Sequence, residues 1–355
     1  MAKNFQMPLR GRGALSLPDD RYSEFNREHL DDGWQQEDRQ SRATSLIADN
    51  SKKIINYNDS PDVPFDRSIN PYRGCEHGCV YCFARPTHAY LGLSPGLDFE
   101  TQLTYKPNAA ALLQQELAKR SYICKPITLG INTDAYQPIE RRLGITREII
   151  RVLHDAHHPF TVVTKSSLIE RDVDLLSAMA KKRLVHVAVS VTTLNRQLSR
   201  HLEPRAATPQ RRLQTIQRLR DVGIPVMVLV APVIPVLTEY ELEKILQAVR
   251  KAGALDAGYV LLRLPHETKE LFEQWLTHYH PLKAKHVMNR IRDCRGGKLY
   301  DATYGKRMVG EGPYAELLSK RFSKMKAQLM FQGMPSLDCN EFNKPVLKGS
   351  QLTLF

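Results

Sequence analysis

Three cysteines fall within eight residues of this 355-residue chain, and they constrain its fold more than any other feature. The segment reads Asn70-Pro-Tyr-Arg-Gly-Cys-Glu-His-Gly-Cys-Val-Tyr-Cys-Phe-Ala-Arg-Pro86, which places Cys75, Cys79 and Cys82 in one short loop. Glycines at positions 74 and 78 allow the positive φ angles that a backbone wrapped around a bulky inorganic group requires. Iron–sulfur clusters are usually held by about four thiolates, so three would leave one iron open for another ligand.

The same cysteines have two simpler interpretations, a structural zinc site and a disulfide with one cysteine left over. Zinc loops usually present a closely spaced ligand pair with a second pair further along the chain. Here His77 is the only imidazole close to the cysteines in sequence. The spacing therefore favours an iron–sulfur cluster.

The loop closely resembles that of the radical S-adenosylmethionine (radical SAM) superfamily. This resemblance implies a 4Fe-4S cluster on Cys75, Cys79 and Cys82, whose open iron chelates the amino and carboxylate groups of S-adenosyl-L-methionine. It also implies that one electron breaks the sulfonium and releases a 5′-deoxyadenosyl radical. An electron donor such as flavodoxin or ferredoxin would supply that electron.

The chain is strongly basic, with 51 Lys and Arg against 38 Asp and Glu and a formal net charge of +13. Such a surplus favours a polyanionic partner, either nucleic acid or an anionic membrane surface. The first residues contain no apolar stretch of the secretory kind, and the longest apolar run, Val226–Val236, is broken by two prolines. We therefore expect a cytoplasmic protein without a membrane partner.

From Ser68 onward, short apolar runs alternate with helical patterns. Strands are predicted at Pro126–Ile131, Phe160–Thr164, Val185–Val191, Val226–Ala231 and Tyr259–Leu264. Helices are predicted at Thr146–His157, Asp172–Lys181, Pro209–Val222, Glu239–Ala252 and Glu267–His278. This alternation is typical of a parallel sheet built from βαβ units. With a strand leading into the cysteine loop, it matches the α/β fold that the resemblance implies, a partial (β/α)6 TIM-type barrel with chemistry at the carboxyl ends of its strands.

Four regions are predicted along the chain. Residues 1–60 form a polar amino-terminal extension that is loosely ordered or wrapped over the barrel, and residues 61–282 form the radical SAM partial barrel. Residues 283–350 form a carboxyl-terminal extension, which we hypothesise to be a lid, and residues 351–355 form a separate tail. The scattered Cys124, Cys294 and Cys339 have no ligand-like spacing for a second cluster.

Polar side chains follow the second, third and fourth predicted strands, where a barrel enzyme binds its cofactor. The candidate SAM-binding residues are Asn132, Thr133, Asp134, Lys165, Ser166, Ser190, Glu203 and Arg205. Short polar side chains at such positions also cap helices, which is the alternative interpretation. The arginines of the next helix are interpreted as a solvated face that also touches phosphate; they are Arg211, Arg212, Arg218 and Arg220.

A wider resemblance links the chain, over residues 55–290, to the spore photoproduct lyase-related group, also described as DNA repair photolyase-like. The segments that carry it are Asn70–Pro86, Thr133–Glu140, Thr164–Ser166 and Glu203–Arg205. Spore photoproduct lyases return a hydrogen atom from a cysteine near the end of the second strand. Here the exit Gly130–Asp134 has no cysteine and Cys124 precedes the strand, so the substrate stays open.

The carboxyl-terminal residues resemble the peptide with which bacterial replication and repair proteins enter the cleft of the DNA sliding clamp. Leu352, Leu354 and Phe355 would be apolar anchors, and the Gln351 amide would bind at the rim of the pocket. The alternative is a terminal strand that folds back onto its own core.

Together these features predict a radical SAM enzyme that cleaves SAM reductively and abstracts hydrogen from nucleic acid, in DNA repair. Radical SAM modification of RNA or protein is one alternative. A DNA-associated iron–sulfur redox sensor without enzymatic activity is another.

Overall fold

A computed structural model describes residues 9–22 and 43–347. Its strands are β1 Ser45–Ala48, β2 Asn56–Tyr57, β3 Arg67–Ile69, β4 Tyr72–Arg73, β5 Gln102–Tyr105, β6 Ile127–Leu129, β7 Phe160–Thr164, β8 Val185–Ser190, β9 Val226–Val233 and β10 Asp256–Leu261. Its α-helices are α1 Asp98–Thr101, α2 Ala109–Leu117, α3 Glu140–Leu143, α4 Ile145–Asp155, α5 Val173–Lys181, α6 Arg196–Leu202, α7 Pro209–Asp221, α8 Leu242–Lys251, α9 Thr268–Tyr279, α10 Pro281–Asp293 and α11 Gly312–Gln328. Short 3-10 helices occur at Arg85–Leu91, Ser167–Asp172 and Glu239–Glu241.

The main sheet of the described residues has seven strands in the order β10-β9-β8-β7-β6-β3-β2. Strands β3, β6, β7, β8, β9 and β10 pair in parallel, and β2 joins β3 in antiparallel orientation at the edge. Helices connect the parallel strands, and the inner residues of β7, β8 and β9 are almost fully buried. The predicted partial (β/α)6 barrel is confirmed by these six parallel strands. A parallel sheet covered on both faces has near-continuous apolar strands, which is the pattern seen in the sequence.

The last parallel strand begins and ends earlier than predicted, at Asp256–Leu261 instead of Tyr259–Leu264. Gly258 has low β propensity, yet its backbone pairs with Leu229 of β9. Pairing with a neighbouring strand therefore decided the start of β10. The consequence is that Arg263 lies beyond the strand end, at the edge of the sheet where the cysteine loop is found.

A second, three-stranded sheet was not apparent from the pattern. In the order β1-β5-β4, it joins residues of the amino-terminal region to the strand that follows the cysteine loop. Ser45–Ala48 pairs in parallel with Gln102–Tyr105. Strand β1 is short and lies apart from the alternating strands and helices of the barrel. Its pairing with β5, which is distant in sequence, therefore determines that it forms a strand.

The carboxyl-terminal region packs against the barrel along two surfaces. Helix α11 lies along β10, with the rings of Phe322 and Tyr259 at 4.8 Å between centroids. After α11 the chain crosses the amino ends of the strands, where Asp338 N donates to the Arg183 carbonyl at 3.0 Å and Asn343 N to the Ala156 carbonyl at 2.9 Å. This segment therefore lies on the face opposite the cysteine loop.

No helix of the described residues is long and apolar enough to cross a lipid bilayer.

Candidate active site

The cysteine loop connects β4 to the 3-10 helix Arg85–Leu91 at the carboxyl edge of the parallel sheet. Cys75 is buried at 7% exposure, and Cys79 and Cys82 are partly buried. The loop is held to α1 by the Cys75 N–H, which donates to the Phe99 carbonyl at 2.8 Å. Gly74 has a φ of +80°, and an added Cβ would lie 2.5 Å from Leu103 Cδ2, so no other residue fits there without a shift.

A buried arginine fixes the far side of the loop. Arg85 is fully buried and donates from Nε to the Cys79 carbonyl at 2.9 Å. Its other nitrogens bind the Gly96 carbonyl at 2.8 Å and the Glu100 carboxylate at 2.5 Å. Because the guanidinium fork is planar, these bonds fix the position of the loop relative to α1.

The amino-terminal segment 9–22 packs directly on the cysteine loop. The Gly13 and Ala14 N–H groups donate to the two oxygens of Glu100 at 3.0 and 2.9 Å. A Cβ on Gly13 would lie 1.8 Å from the Gly78 carbonyl oxygen, so the two backbones are in direct contact. Sequence patterns did not reveal this role, because Gly13 and Gly78 are far apart in the chain.

This contact makes Gly13→Ala a specific test of the packing. The added methyl group must displace either segment, and overpacking of this kind typically costs about 1–3 kcal/mol. We expect a lower melting temperature and less iron retained by the protein after desalting. Gly258→Ala is the matched control, because its Cβ would meet Leu229 Cδ2 at an ordinary 3.4 Å. Unchanged melting and iron content in Gly13→Ala would contradict the contact.

A buried glutamine of the β6 exit loop also binds the cysteine loop. Gln137 donates from Nε2 to the Gly74 carbonyl at 3.1 Å and accepts from the Glu76 N–H at 2.8 Å. The side chain thus holds the backbone on both sides of Cys75. Sequence reasoning missed Gln137, although it lies within the segment Thr133–Glu140 that carries the resemblance to the lyase group.

Asp134 joins the cysteine loop to the end of β7. Its carboxylate accepts from Thr164 Oγ1 and from the Lys165 N–H, both at 2.7 Å, and lies 3.3 Å from His77 Nδ1. Burial alone would raise the pKa of Asp134, but the contact with His77 and these hydrogen bonds outweigh it and lower the pKa to about 2. Asp134 is therefore an ionised carboxylate that binds protein donors.

Lys165 points across the mouth of the barrel towards β8. Its ammonium lies 3.1 Å from Ser190 Oγ and 5.9 Å from the centre of the Tyr81 ring. The same positive charge partly opposes the burial that raises the pKa of Cys79 and Cys82. Lys165 and Ser190, predicted from separate strands, are thus brought together beside the cysteine loop.

Glu203 is the centre of a buried polar network. Its carboxylate accepts from the Tyr81 hydroxyl, the Arg212 guanidinium and Thr192 Oγ1, the last at 2.7 Å. Burial alone would raise the pKa of Glu203, but the charges of Arg212 and Lys165 outweigh it and lower the pKa to about 2. The predicted Glu203 thus positions Tyr81, the residue directly before Cys82.

The interpretation of the α7 arginines as a solvated face was wrong for Arg212. This side chain is 2% exposed and also donates to the Ser190 carbonyl at 2.9 Å. Arg211 and Arg218 instead pair with Glu170 on the surface, each at 2.7 Å. The helical periodicity that turns Arg212 inwards was present in the sequence, but its buried carboxylate partner precedes the helix and was not recognised.

The remaining predicted residues lie around the same edge of the sheet with different contacts. Arg205 pairs with Glu76 at 2.8 Å, and the Asn132 N–H donates to Asn70 Oδ1 at 3.0 Å. Thr133 donates to the Tyr72 carbonyl at 2.7 Å, and Ser166 caps the 3-10 helix Ser167–Asp172 by accepting from the Leu168 N–H. The side chains of Thr133 and Ser166 therefore have structural partners, whereas Asn132 is exposed.

The other cysteines lie away from this site. Cys294 is fully buried in the main core, and Cys124 and Cys339 lie beside each other near the amino ends of the strands. The predicted clamp-binding residues Gln351, Leu352, Leu354 and Phe355 lie outside the described residues.

The loop fits a 4Fe-4S cluster. Its free thiols are soft ligands of the kind that iron–sulfur clusters take, and they lie beside apolar Phe99 and Ala84. Burial raises the pKa of all three thiols, so cluster binding must displace their protons. In the described part of the chain no three His, Cys, Asp or Glu side chains are arranged around a single metal ion. A 4Fe-4S cluster binds each thiolate through a different iron.

Comparisons with known proteins agree with this site. The family model of the radical SAM superfamily matches residues 69–249. An uncharacterized protein of Mycobacterium tuberculosis is 41% identical over 273 residues, which cover 76% of each chain. An uncharacterized protein of Methanocaldococcus jannaschii is 27% identical over 196 residues, covering 55% of this chain and 70% of that protein.

Solved structures show the same fold. Spore photoproduct lyase complexed with dinucleoside spore photoproduct has a TM-score of 0.58 at 17% identity, covering 81% of this chain and 80% of that chain. A variant of the same lyase has been solved with bound AdoMet. Enzymes of the matching family use a 4Fe-4S cluster and SAM. This chain belongs to the radical SAM superfamily and is an enzyme of that class, with a fold shared with spore photoproduct lyase.

Proposed function

We propose that this enzyme abstracts a hydrogen atom from a damaged nucleotide of DNA and acts in DNA repair. The observation that carries the proposal is the fold shared with spore photoproduct lyase, whose solved complex holds a dinucleoside lesion. The net charge of +13 supports a nucleic-acid substrate. When bound, the reduced cluster would supply one electron that cleaves SAM into methionine and a 5′-deoxyadenosyl radical, and this radical would take the hydrogen atom to become 5′-deoxyadenosine.

The protein's own contribution is to hold the reacting groups in fixed positions at the mouth of the barrel. Cys75, Cys79 and Cys82 would hold the cluster, and Gln137 and Arg85 fix their loop. Lys165 uses one ammonium N–H on Ser190 Oγ and keeps others for an anionic or hydroxylated cofactor at the mouth, whereas the Ser190 hydroxyl itself donates to the Ala231 carbonyl at 3.0 Å. A nucleotide must leave the base stack to reach this depth, at a cost of a few kcal/mol that damage lowers.

The hydrogen that repairs the product radical does not come from a cysteine at the β6 exit in this proposal. That exit has no cysteine, and Cys124 lies beside Cys339 on the opposite face. The reaction therefore differs from spore photoproduct repair at this step, or the substrate is a different lesion.

We further propose that Gln351, Leu352, Leu354 and Phe355 bind the bacterial DNA sliding clamp. The last described residues lie on the face opposite the cysteine loop, where Lys344 Nζ donates to the Arg120 carbonyl at 2.8 Å. Removing residues 351–355 should abolish clamp binding in a pull-down with purified clamp.

The test of the proposed reaction uses anaerobically reconstituted, reduced enzyme with SAM. We expect ultraviolet-irradiated DNA to accelerate formation of 5′-deoxyadenosine and to lose lesions, both measured by mass spectrometry. Undamaged DNA, RNA and a protein extract are the comparison substrates. Equal rates with and without irradiated DNA, and unchanged lesions, would refute DNA repair, and acceleration by RNA or protein alone would favour the modification alternative.

A further inference from the structure

Arg263 lies at the mouth of the barrel, beside the cysteine loop. It follows the end of β10 at Leu261, on the same edge of the sheet as the cysteines. Its guanidinium carbon stands 4.9 Å from the centre of the Phe83 ring, and Phe83 directly follows Cys82. Phe83 is 38% exposed, so this stacked pair borders the entrance to the candidate active site.

Arg263 has no acceptor that matches its charge among the described residues. Its Nε is buried without a hydrogen-bond partner, and Nη1 reaches only the Met308 sulfur at 3.5 Å. Thioether sulfur is a weak acceptor. In contrast, three other arginines of this edge are each paired with a carboxylate: Arg85 with Glu100, Arg205 with Glu76 and Arg212 with Glu203.

A second guanidinium stands behind Arg263. Arg295 is 1% exposed and donates to the carbonyls of Lys306 and Leu262 at 2.8 and 2.9 Å, and its Nε also lacks a partner in the described chain. Burial lowers the pKa of Arg295, and the neighbouring charge of Arg263 lowers it further. An anion at this position would offset two adjacent positive charges.

We propose that Arg263, stacked on Phe83 and backed by the charge of the buried Arg295, binds a phosphodiester group of the nucleic-acid substrate at the mouth of the barrel; Phe83, Arg263 and Arg295 are here called the Arg263 site. This inference rests on the proposed function. A guanidinium stacked on an aromatic ring keeps its N–H edge free, and that edge matches two phosphate oxygens. A phosphate bound there would hold the strand beside the cysteine loop while its nucleotide enters the barrel.

The test measures DNA affinity of the full-length, reconstituted protein, first in the absence of SAM and then in its presence. The probe is a fluorescein-labelled single-stranded DNA oligonucleotide, and the readout is fluorescence anisotropy at several salt concentrations. We expect Arg263→Gln to weaken binding about 5- to 10-fold and to lower the slope of log affinity against log salt by about 0.7. Arg263→Lys should weaken binding less than Arg263→Gln because lysine retains the positive charge. It should still weaken binding, because lysine lacks the planar guanidinium that donates to two phosphate oxygens.

Arg151→Gln is the matched control. It removes the same charge from α4 in the outer helical layer, where Arg151 pairs only with Glu148 at 2.6 Å. We expect its affinity and salt slope to stay close to those of the unsubstituted protein. Circular dichroism of each variant checks that the fold is retained.

Two results would overturn the inference. In the first, Arg263→Gln binds DNA as tightly as Arg151→Gln, and in the second, the loss in Arg263→Gln appears only when SAM is present. The last result would identify the anion as the SAM carboxylate. If the unsubstituted protein binds no DNA, the proposed function itself fails, which distinguishes that failure from failure of the Arg263 site alone.

Discussion

Replacing Cys79 by alanine should remove both the iron and the SAM cleavage activity of this enzyme. The unsubstituted protein is expected to hold about four irons per chain and to release 5′-deoxyadenosine slowly under strong reductant, even without substrate. With two thiolates left, the cluster loses one of its three protein ligands, and we expect no 5′-deoxyadenosine above a protein-free control. Cys75→Ala and Cys82→Ala should behave in the same way.

Cys339→Ala is the control for this experiment. Cys339 is partly buried on the opposite face beside Cys124, so its loss should leave the iron content and the activity unchanged. Iron analysis, the visible absorption spectrum and electron paramagnetic resonance with and without SAM provide the measurements. Full iron content in Cys79→Ala, or one tightly bound zinc in place of iron, would contradict the assignment of the loop.

Replacing Arg212 by methionine should destabilise the fold more than other single substitutions of a charged residue on α7. Arg212 neutralises the fully buried Glu203, and removal of one member of a buried ion pair typically costs about 3–5 kcal/mol. The double variant Arg212→Met/Glu203→Gln should recover part of this loss, because the unpaired charge is gone. Anaerobic urea unfolding measures each free energy.

Arg218→Met is the comparison on the same helix. Its side chain is 60% exposed and pairs with Glu170 at the surface, so we expect a loss below about 1 kcal/mol. Arg212→Lys retains the charge and should fall between the two. If Arg212→Met proves as stable as Arg218→Met, then Glu203 is not held as a buried carboxylate.

The Glu203 network also links stability to the site. Glu203 binds Tyr81, which directly precedes Cys82, and Arg212 holds the carbonyl of Ser190 on β8. A change in this network therefore moves the cysteine loop relative to the strand ends. The same reasoning applies to Gln137, which binds the loop on both sides of Cys75.

Features that are local in sequence were predictable. The spacing of Cys75, Cys79 and Cys82 identified the family, and the alternation of apolar strands and amphipathic helices predicted six parallel strands, because both signals lie within short segments. The carboxyl ends of parallel strands meet at one edge, which is where the sequence placed Asp134, Lys165 and Ser190 as candidates for SAM binding; the structure brings them together there, and their role in binding SAM stays a prediction.

Tertiary structure alone decided which distant residues complete the site. The bond from Gly13 to Glu100 joins residues 87 positions apart, and the bond from Glu76 to Gln137 joins residues 61 positions apart. Such contacts arise from burial and from the need to satisfy buried polar groups, which depend on packing of the whole chain. For the same reason the sequence could not show that Arg212 has a buried carboxylate partner, whereas Arg263 beside the cysteines has none among the described residues.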